Sequence, residues 1–448
     1  MPLRDAPRSY VSWLLAHGLQ RQLILRNARK GDLIARLAMV PEVNADPFGP
    51  YEQLRAGGRL VRNDLVAATV DHAIANEILR GEDWGVVGGH AELPAPMRWV
   101  LDRVTDPMSL SPVDPPSMLV VDPPEHTRYR RLVSKAFTAR RVGRMADRVE
   151  PVATRLLDQL AADPSGSFDL VDRYAARLPV AVIADLLGVP EQDHEQLLEW
   201  GNLAAVTLDP GLSWRQFRAS ETALREMHHW FAAHVARLRR NPGEDLLSQV
   251  SQVTGPDALT ETELHQVGLL VLGAGFETTV NLIGNAVAQL DAHPDQLGVL
   301  LADPERWANA VDEVLRIDSP VQLTMRAALR DTVVGADGPG GGVPVQKGEA
   351  VLVYLGGANR DPGVFADPDR FDVTRAEADH HLSFSAGVHY CLGASLARLE
   401  ATIGLRMLYE RFPDLRVAGT PVRRETRVLR GYAALPVTTR AEVPARAS

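Results

Sequence analysis

One stretch constrains this fold more than any other. Thr260-Glu261-Thr262-Glu263 opens an apolar pattern that runs to about Leu290 and stops at His293-Pro294. Threonine with glutamate three residues on is a capping box, which predicts a helix start at Thr260. The His-Pro pair predicts its end. About thirty residues make a rod of roughly 45 Å, enough to cross a domain. Val267 to Leu272 is apolar on every side, which predicts burial all round. Yet Gly268, Gly273, Gly275 and Gly284 interrupt the same helix, and each weakens it by about 1 kcal/mol against alanine. The Gly273 and Gly275 pair is best explained by something large lying against the backbone. Glu277 and Thr278 follow directly. Alone, they read as a surface acid and a threonine bonding back to the preceding turn.

The only cysteine lies far downstream, in His381-Leu382-Ser383-Phe384-Ser385-Ala386-Gly387-Val388-His389-Tyr390-Cys391-Leu392-Gly393-Ala394. A helical pattern begins after it, with Leu396, Leu399, Ile403 and Met407 three and four apart. Orphan N–H groups and the helix dipole at such a start favour an anion, so thiolate over thiol, the form that binds metal. A lone cysteine is otherwise a small buried apolar residue. Here Gly387, Gly393 and Ala394 leave room for a flat group, and Phe384 supplies an apolar wall.

Phe-x-x-Gly-x-His-x-Cys-x-Gly resembles the haem-ligand loop of the cytochrome P450 superfamily, with Ser385 where that family usually has glycine. Ala274-Gly275-Phe276-Glu277-Thr278-Thr279 resembles its acid–alcohol motif. Glu313-Val314-Leu315-Arg316 resembles its Glu-x-x-Arg, and Pro368-Asp369-Arg370-Phe371 the loop that supplies a second arginine. The motifs keep the family's order, and their details look like those of an actinobacterial family numbered 140.

The resemblance implies a mainly α fold with small β-sheets. It implies a helical extension over residues 1–40 and one large haem-thiolate monooxygenase domain over 41–448. Cys391 would be the axial ligand of haem b. His126, Arg130, Arg326 and His389 would meet its propionates. Glu277 and Thr278 would handle protons, since cleaving dioxygen inside an apolar pocket consumes two of them. Glu313, Arg316 and Arg370 would hold the core beneath. Residues 81–121 and 203–220 would cap the substrate cavity. Trp84, Val86, Val87, Leu93, Met97 and Leu101 are candidates to line it from the first segment, and Leu203, Val206, Thr207 and Leu208 from the second. Gln322, Leu323, Thr324 and the tip of a terminal hairpin at Ala433-Ala434 would approach from elsewhere.

Charge and composition limit the partners. The chain has 448 residues with a formal charge of −9, which argues against a general nucleic-acid binder. One cysteine rules out an internal disulfide and fits a reducing cytoplasm. No apolar run approaches the ~20 residues of a membrane span. Tyr10 to Ala16 is too short for a signal core and lacks a cleavage site. His228, His229 and His234 lack the spacing of a zinc motif, and the glycine run 338–342 lacks a phosphate loop's Gly-Lys-Ser/Thr ending.

Two stretches are locally basic. His126 to Met145 contains seven Lys or Arg and no acid, a solvated face or a docking surface for an acidic electron donor. Arg21, Arg26, Arg29, Lys30 and Arg36 lie among leucines in the extension. They read as an amphipathic helix packed on the body, with a membrane-surface contact as the alternative. No flavin or iron–sulfur segment is visible, so electrons are expected from a ferredoxin and its NAD(P)H-dependent reductase. The expected reaction is monooxygenation of an apolar small molecule. The rivals are a peroxide-driven peroxygenase, a haem sensor without turnover, and a cysteine hydrolase using Cys391 and His389.

Overall fold

The computed structural model describes residues 6–87, 94–338 and 340–439. Leu93 and Pro339, from the cavity candidates and the glycine run, lie outside the described residues. The long helix spans Glu261–Ala292, and the Thr260 and Glu263 side chains cap it reciprocally. By length and composition it is the one described helix that could cross a membrane, but 72% of its apolar window is buried inside the protein. Two of its glycines are explained by neighbouring helices. A Cβ on Gly268 would fall 1.8 Å from the Phe231 ring, and one on Gly275 would fall 2.6 Å from Ile183. Gly275 therefore serves helix packing, contrary to the expectation for the pair. Only Gly273 has nothing within 4 Å of a Cβ.

The main core gathers around this rod. It joins Ile183, Phe231, Phe276 and Ile283 to Val311 and Leu315 on the helix Trp307–Ile317, and to Leu396, Ile403 and Leu408 on the helix Ala394–Arg411. A second core packs Ile74, Ile78 and Trp84 under the largest sheet. That sheet orders its strands 61–62, 67–69, 350–354, 323–328 and 84–86. Residues 67–69 run parallel to 350–354, with Ala68 opposite Leu352, and the other pairs are antiparallel. Pairing of Arg326 with Val86 and Val351 fixes the arginine's face.

Three expectations about this region change. Trp84 and Leu101 are core residues rather than cavity lining. Gln322 is buried, accepting from Tyr51 Oη at 3.0 Å and donating to Ser319 O at 2.7 Å. The terminal residues do not form a self-paired hairpin. Tyr432–Ala434 pairs with Val422–Arg423, and Pro436–Thr438 joins a sheet with 167–169 and 416–417. Period-two alternation reveals a strand but not its partner.

Helices of the N-terminal forty residues, Ala6–Trp13, Leu19–Arg29 and Leu33–Met39, lie against the body. Ser9 Oγ donates to Glu221 at 2.9 Å, and Trp13 Nε1 donates to Leu212 O at 2.9 Å.

Candidate functional site

The cysteine loop is bolted to the helix Trp307–Ile317. Ser383 Oγ donates to Leu315 O at 2.6 Å, and Leu382 N donates to Asn359 Oδ1 at 2.7 Å. Asp312 accepts from Arg398 Nε at 2.7 Å and lies 3.2 Å from His381 Nε2. The Arg398 guanidinium stands 4.6 Å over the Phe384 ring. Cys391 N closes the loop on Phe384 O at 2.9 Å. Gly387 has φ +67°, and a Cβ there would come 2.3 Å from Leu79 O, so no other residue fits. Ser385 also has a left-handed φ of 60°, and its buried hydroxyl has no hydrogen-bond partner.

Cys391 precedes the helix, which begins at Ala394. Its side chain is exposed, yet so much protein lies around it that burial pushes the thiol up. The Gly393 and Ala394 N–H groups, Arg130 and Arg398 pull the other way. The helix start alone does not make a thiolate here, because desolvation outweighs it. A cation at the sulfur would be needed to reverse that balance.

Both walls of the site are open. A Cβ on Gly393 would meet nothing within 4 Å, like one on Gly273. Ala274 is exposed in the middle of an otherwise buried helix. The cysteine helix and the long helix pack on each other. Gly273, Ala274 and Gly393 thus leave open space on both helices, as a flat group held by the exposed Cys391 would require.

Polar groups around the loop suit an anionic edge to that group. The His126 and His389 rings lie 4.3 Å apart, and neither His126 Nδ1 nor His389 Nε2 has a hydrogen-bond partner. Arg326 is buried and donates to Thr324 Oγ1 at 3.1 Å and Met325 O at 2.9 Å. Arg130 holds the loop by donating to Val388 O at 3.1 Å and Tyr390 O at 2.6 Å. Burial and then Arg130 hold His126 down to about 4. Burial and then Arg326 hold His389 down to about 3. Burial lowers Arg326 to about 10, with Asp122 opposing. Asp122, 3.8 Å from His389 Nε2, is the acid that faces them. Four groups able to carry positive charge against one carboxylate leave room for two more anions, as haem propionates would supply.

On the long helix, neighbouring residues point about 100° apart, so Glu277 and Thr278 part company. Thr278 lies beside Ala274 and donates to Ala274 O at 3.1 Å. Glu277 is buried behind, with Arg424 Nη1 2.9 Å from its Oε1. Burial raises the Glu277 carboxyl, and Arg424 opposes it. Arg424 also donates to Asn202 Oδ1 at 3.0 Å and Tyr432 O at 3.2 Å. Nothing near Arg424 in sequence signals this long-range pairing.

The buried acid–base cluster needs one correction. Arg316 is fully buried and donates to both oxygens of Glu313, at 2.6 and 2.8 Å. The second arginine is Arg375, whose Nε donates to Glu313 Oε1 at 3.3 Å. The Arg370 guanidinium is exposed, 3.5 Å from Asp372, and that residue contributes only its carbonyl, which accepts from Arg316 and Arg375. The loop turns back after Asp372, whose N–H donates to Glu313 at 2.9 Å, and that turn delivers Arg375 instead.

The basic stretch divides in two. Arg128 pairs with Glu263, Arg131 with Asp257, and Arg141 donates to Gln249 at 3.2 Å. Lys135, Arg140 and Arg144 are exposed without an ion pair among the described residues. Two histidines of the helix Trp214–Arg240 are structural. His234 bonds Leu187 O at 3.0 Å, and His228 meets His265 at 3.3 Å. No cluster of three metal-ligating side chains occurs among the described residues.

Comparison with known proteins gives this geometry a context. The family model described as Cytochrome P450 matches residues 307–425. A Mycobacterium tuberculosis protein named as cytochrome P450 140 is 48% identical over 96% of this chain and 97% of its own length. The 6-deoxyerythronolide B hydroxylase of Saccharopolyspora erythraea is 42% identical over 70% of this chain and 76% of its own. Among solved structures, a ligand-free Mycobacterium smegmatis cytochrome P450 superposes with TM-score 0.80 and 36% identity, covering 91% of this chain and 99% of that one. P450BioI in complex with a hexadec-9Z-enoic acid-ligated acyl carrier protein gives TM-score 0.80 and 34% identity, covering 89% and 99%.

Proposed function

The chain belongs to the cytochrome P450 superfamily, within family 140, and from that premise we propose which residues carry its haem b monooxygenase chemistry and with what partners. Haem b held by a thiolate supplies dioxygen activation, since the sulfur pushes electron density that favours O–O cleavage. The observation that carries the reading is the pair of open walls, Cys391 and Gly393 on one side, Gly273 and Ala274 on the other. Cys391 would hold the haem iron through its sulfur. His126, Arg130, Arg326 and His389 would receive the propionates, whose charge would return the two histidines toward their protonated forms.

Thr278 turns its hydroxyl from Ala274 O to hold a water beside the reacting substrate. Glu277 moves protons from behind, where Arg424 links it to Asn202 at the protein edge. Glu313, Arg316 and Arg375 keep the cysteine loop's supporting helix in place. The substrate is an apolar organic molecule, in keeping with relatives named as a 6-deoxyerythronolide B hydroxylase and as a complex with a hexadec-9Z-enoic acid-ligated acyl carrier protein. A ferredoxin and its NAD(P)H-dependent reductase supply electrons in the cytoplasm. Lys135, Arg140 and Arg144, exposed and without an ion pair among the described residues, offer them a landing face. The peroxide-driven alternative is disfavoured by the retained Glu277 and Thr278. Product formation with ferredoxin, reductase and NADPH under air supports the monooxygenase reading, whereas product with hydrogen peroxide and none with ferredoxin and NADPH replaces it.

A further inference from the structure

The N-terminal extension presents one face that no other described element covers. Residues 6–31 contain Arg8, Arg21, Arg26, Arg29 and Lys30 and no acid, within a chain of charge −9. On the helix Leu19–Arg29, Ile24 and Asn27 are buried. Leu19, Leu23, Arg26 and Lys30 are all exposed. Their spacing of four, three and four puts them in one stripe along the helix. Leu19 is 47% and Leu23 44% exposed, large values for leucines on a helix whose other face packs. Arg26, Arg29 and Lys30 make no ion pair among the described residues. Other exposed arginines are paired, as Arg148 with Asp185 and Arg155 with Glu191.

We propose that this stripe is a docking surface for an anionic lipid bilayer, on which the enzyme lies peripherally. Leucines beside long cationic side chains are the composition of an interfacial helix, the apolar tips entering the acyl boundary and the cations meeting lipid phosphates. Arginine and lysine stems let both happen on one face. A second copy of the chain fits poorly, because a two-fold contact would bring Arg26, Arg29 and Lys30 near their own equivalents. The other side of the extension grips the segment above the cavity. Arg21 Nη1 donates to Gly211 O at 3.0 Å, and the Trp214 ring lies 5.4 Å from Tyr10 and 5.6 Å from Trp13. Docking would therefore hold the 209–221 segment at the bilayer surface, where apolar molecules collect.

The test is flotation of the purified, haem-loaded protein with phosphatidylcholine vesicles and with mixed phosphatidylcholine–phosphatidylglycerol vesicles. Binding is expected to the mixed vesicles alone, weakening as salt rises. Charge reversal of Arg26, Arg29 and Lys30 to Glu should weaken it on the order of a hundredfold. Leu19→Asp with Leu23→Asp should weaken it about tenfold or more. The milder Leu19→Gln with Leu23→Gln should do so in part and serves if the aspartates disturb folding. The carbon monoxide difference spectrum should be unchanged in every variant. No binding to mixed vesicles at low salt overturns the proposal, as does binding that survives both the charge and the leucine variants. A solution dimer broken by the leucine variants, without vesicle binding, assigns the face to a second copy instead.

Discussion

The cysteine loop and the segments above the cavity are built by opposite rules. The loop is over-determined. Seven residues from His381 to Cys391 are held by named side-chain or backbone bonds, and the helix beneath them carries Glu313 between two arginines. Buried charges of this kind add little net stability but punish any change of partner, so they specify one arrangement. The roof uses few such constraints. The helix Ala95–Val104 exposes Trp99 and half-buries Met97 and Val100, and in the 206–213 turn one buried carboxylate, Asp209 beside Arg427, and the carbonyls of Pro210, Gly211 and Leu212 make the long-range anchors. Under the proposed function, the chemistry common to every substrate would fall to the rigid loop, and selection among substrates to the segments above it.

Removing the sulfur tests the rigid side most severely. Cys391→Ala should abolish both turnover and the red-shifted Soret band of the carbon monoxide complex, and survival of that band would move the ligand elsewhere. Next in size is the charge cluster. Glu313→Gln leaves Arg316 and Arg375 uncompensated and should cost about 3–5 kcal/mol in denaturant unfolding. Arg370→Ala should stay within about 0.5 kcal/mol; equal losses would undo the assignment of Arg375.

Thr278→Ala leaves the fold intact and should divert most electrons to peroxide. Oxygen uptake then continues while product falls several-fold, and unchanged coupling would remove Thr278 from the mechanism. On the roof, Met97→Ala should shift substrate affinity severalfold, read by optical titration, with a stability change under about 1 kcal/mol. A large stability loss there would show the roof to be as constrained as the loop. Smallest is Ser385→Gly, which relieves a left-handed serine and a partnerless hydroxyl and should stabilise by about 1 kcal/mol. Destabilisation would mean that the hydroxyl has a partner when haem is bound.

Local chemistry made much of this legible. The Thr260 and Glu263 cap and the His293-Pro294 stop are written in adjacent residues, and they appear as expected. What resisted reading was partnership across distance. Gly275 looked like room for a ligand because Ile183, ninety-two residues earlier, is invisible from its neighbours. Arg370 and Arg375 lie five apart in a loop with no period, so spacing cannot choose between them. Glu277 and Thr278 are adjacent in sequence, yet the helical turn sends one to the open side and the other to Arg424.

By itself, then, the sequence determined the family, the long capped helix, the loop around the single cysteine and the residue types a haem needs. These rest on contacts between near neighbours, where backbone geometry leaves few options. Only the tertiary structure decided which arginine completes the Glu313 cluster, where Glu277 finds its counter-charge, that burial outweighs the helix start at Cys391, and which face of the extension stays uncovered. Each of those depends on desolvation and on long-range pairing, and both come into being only when distant segments pack.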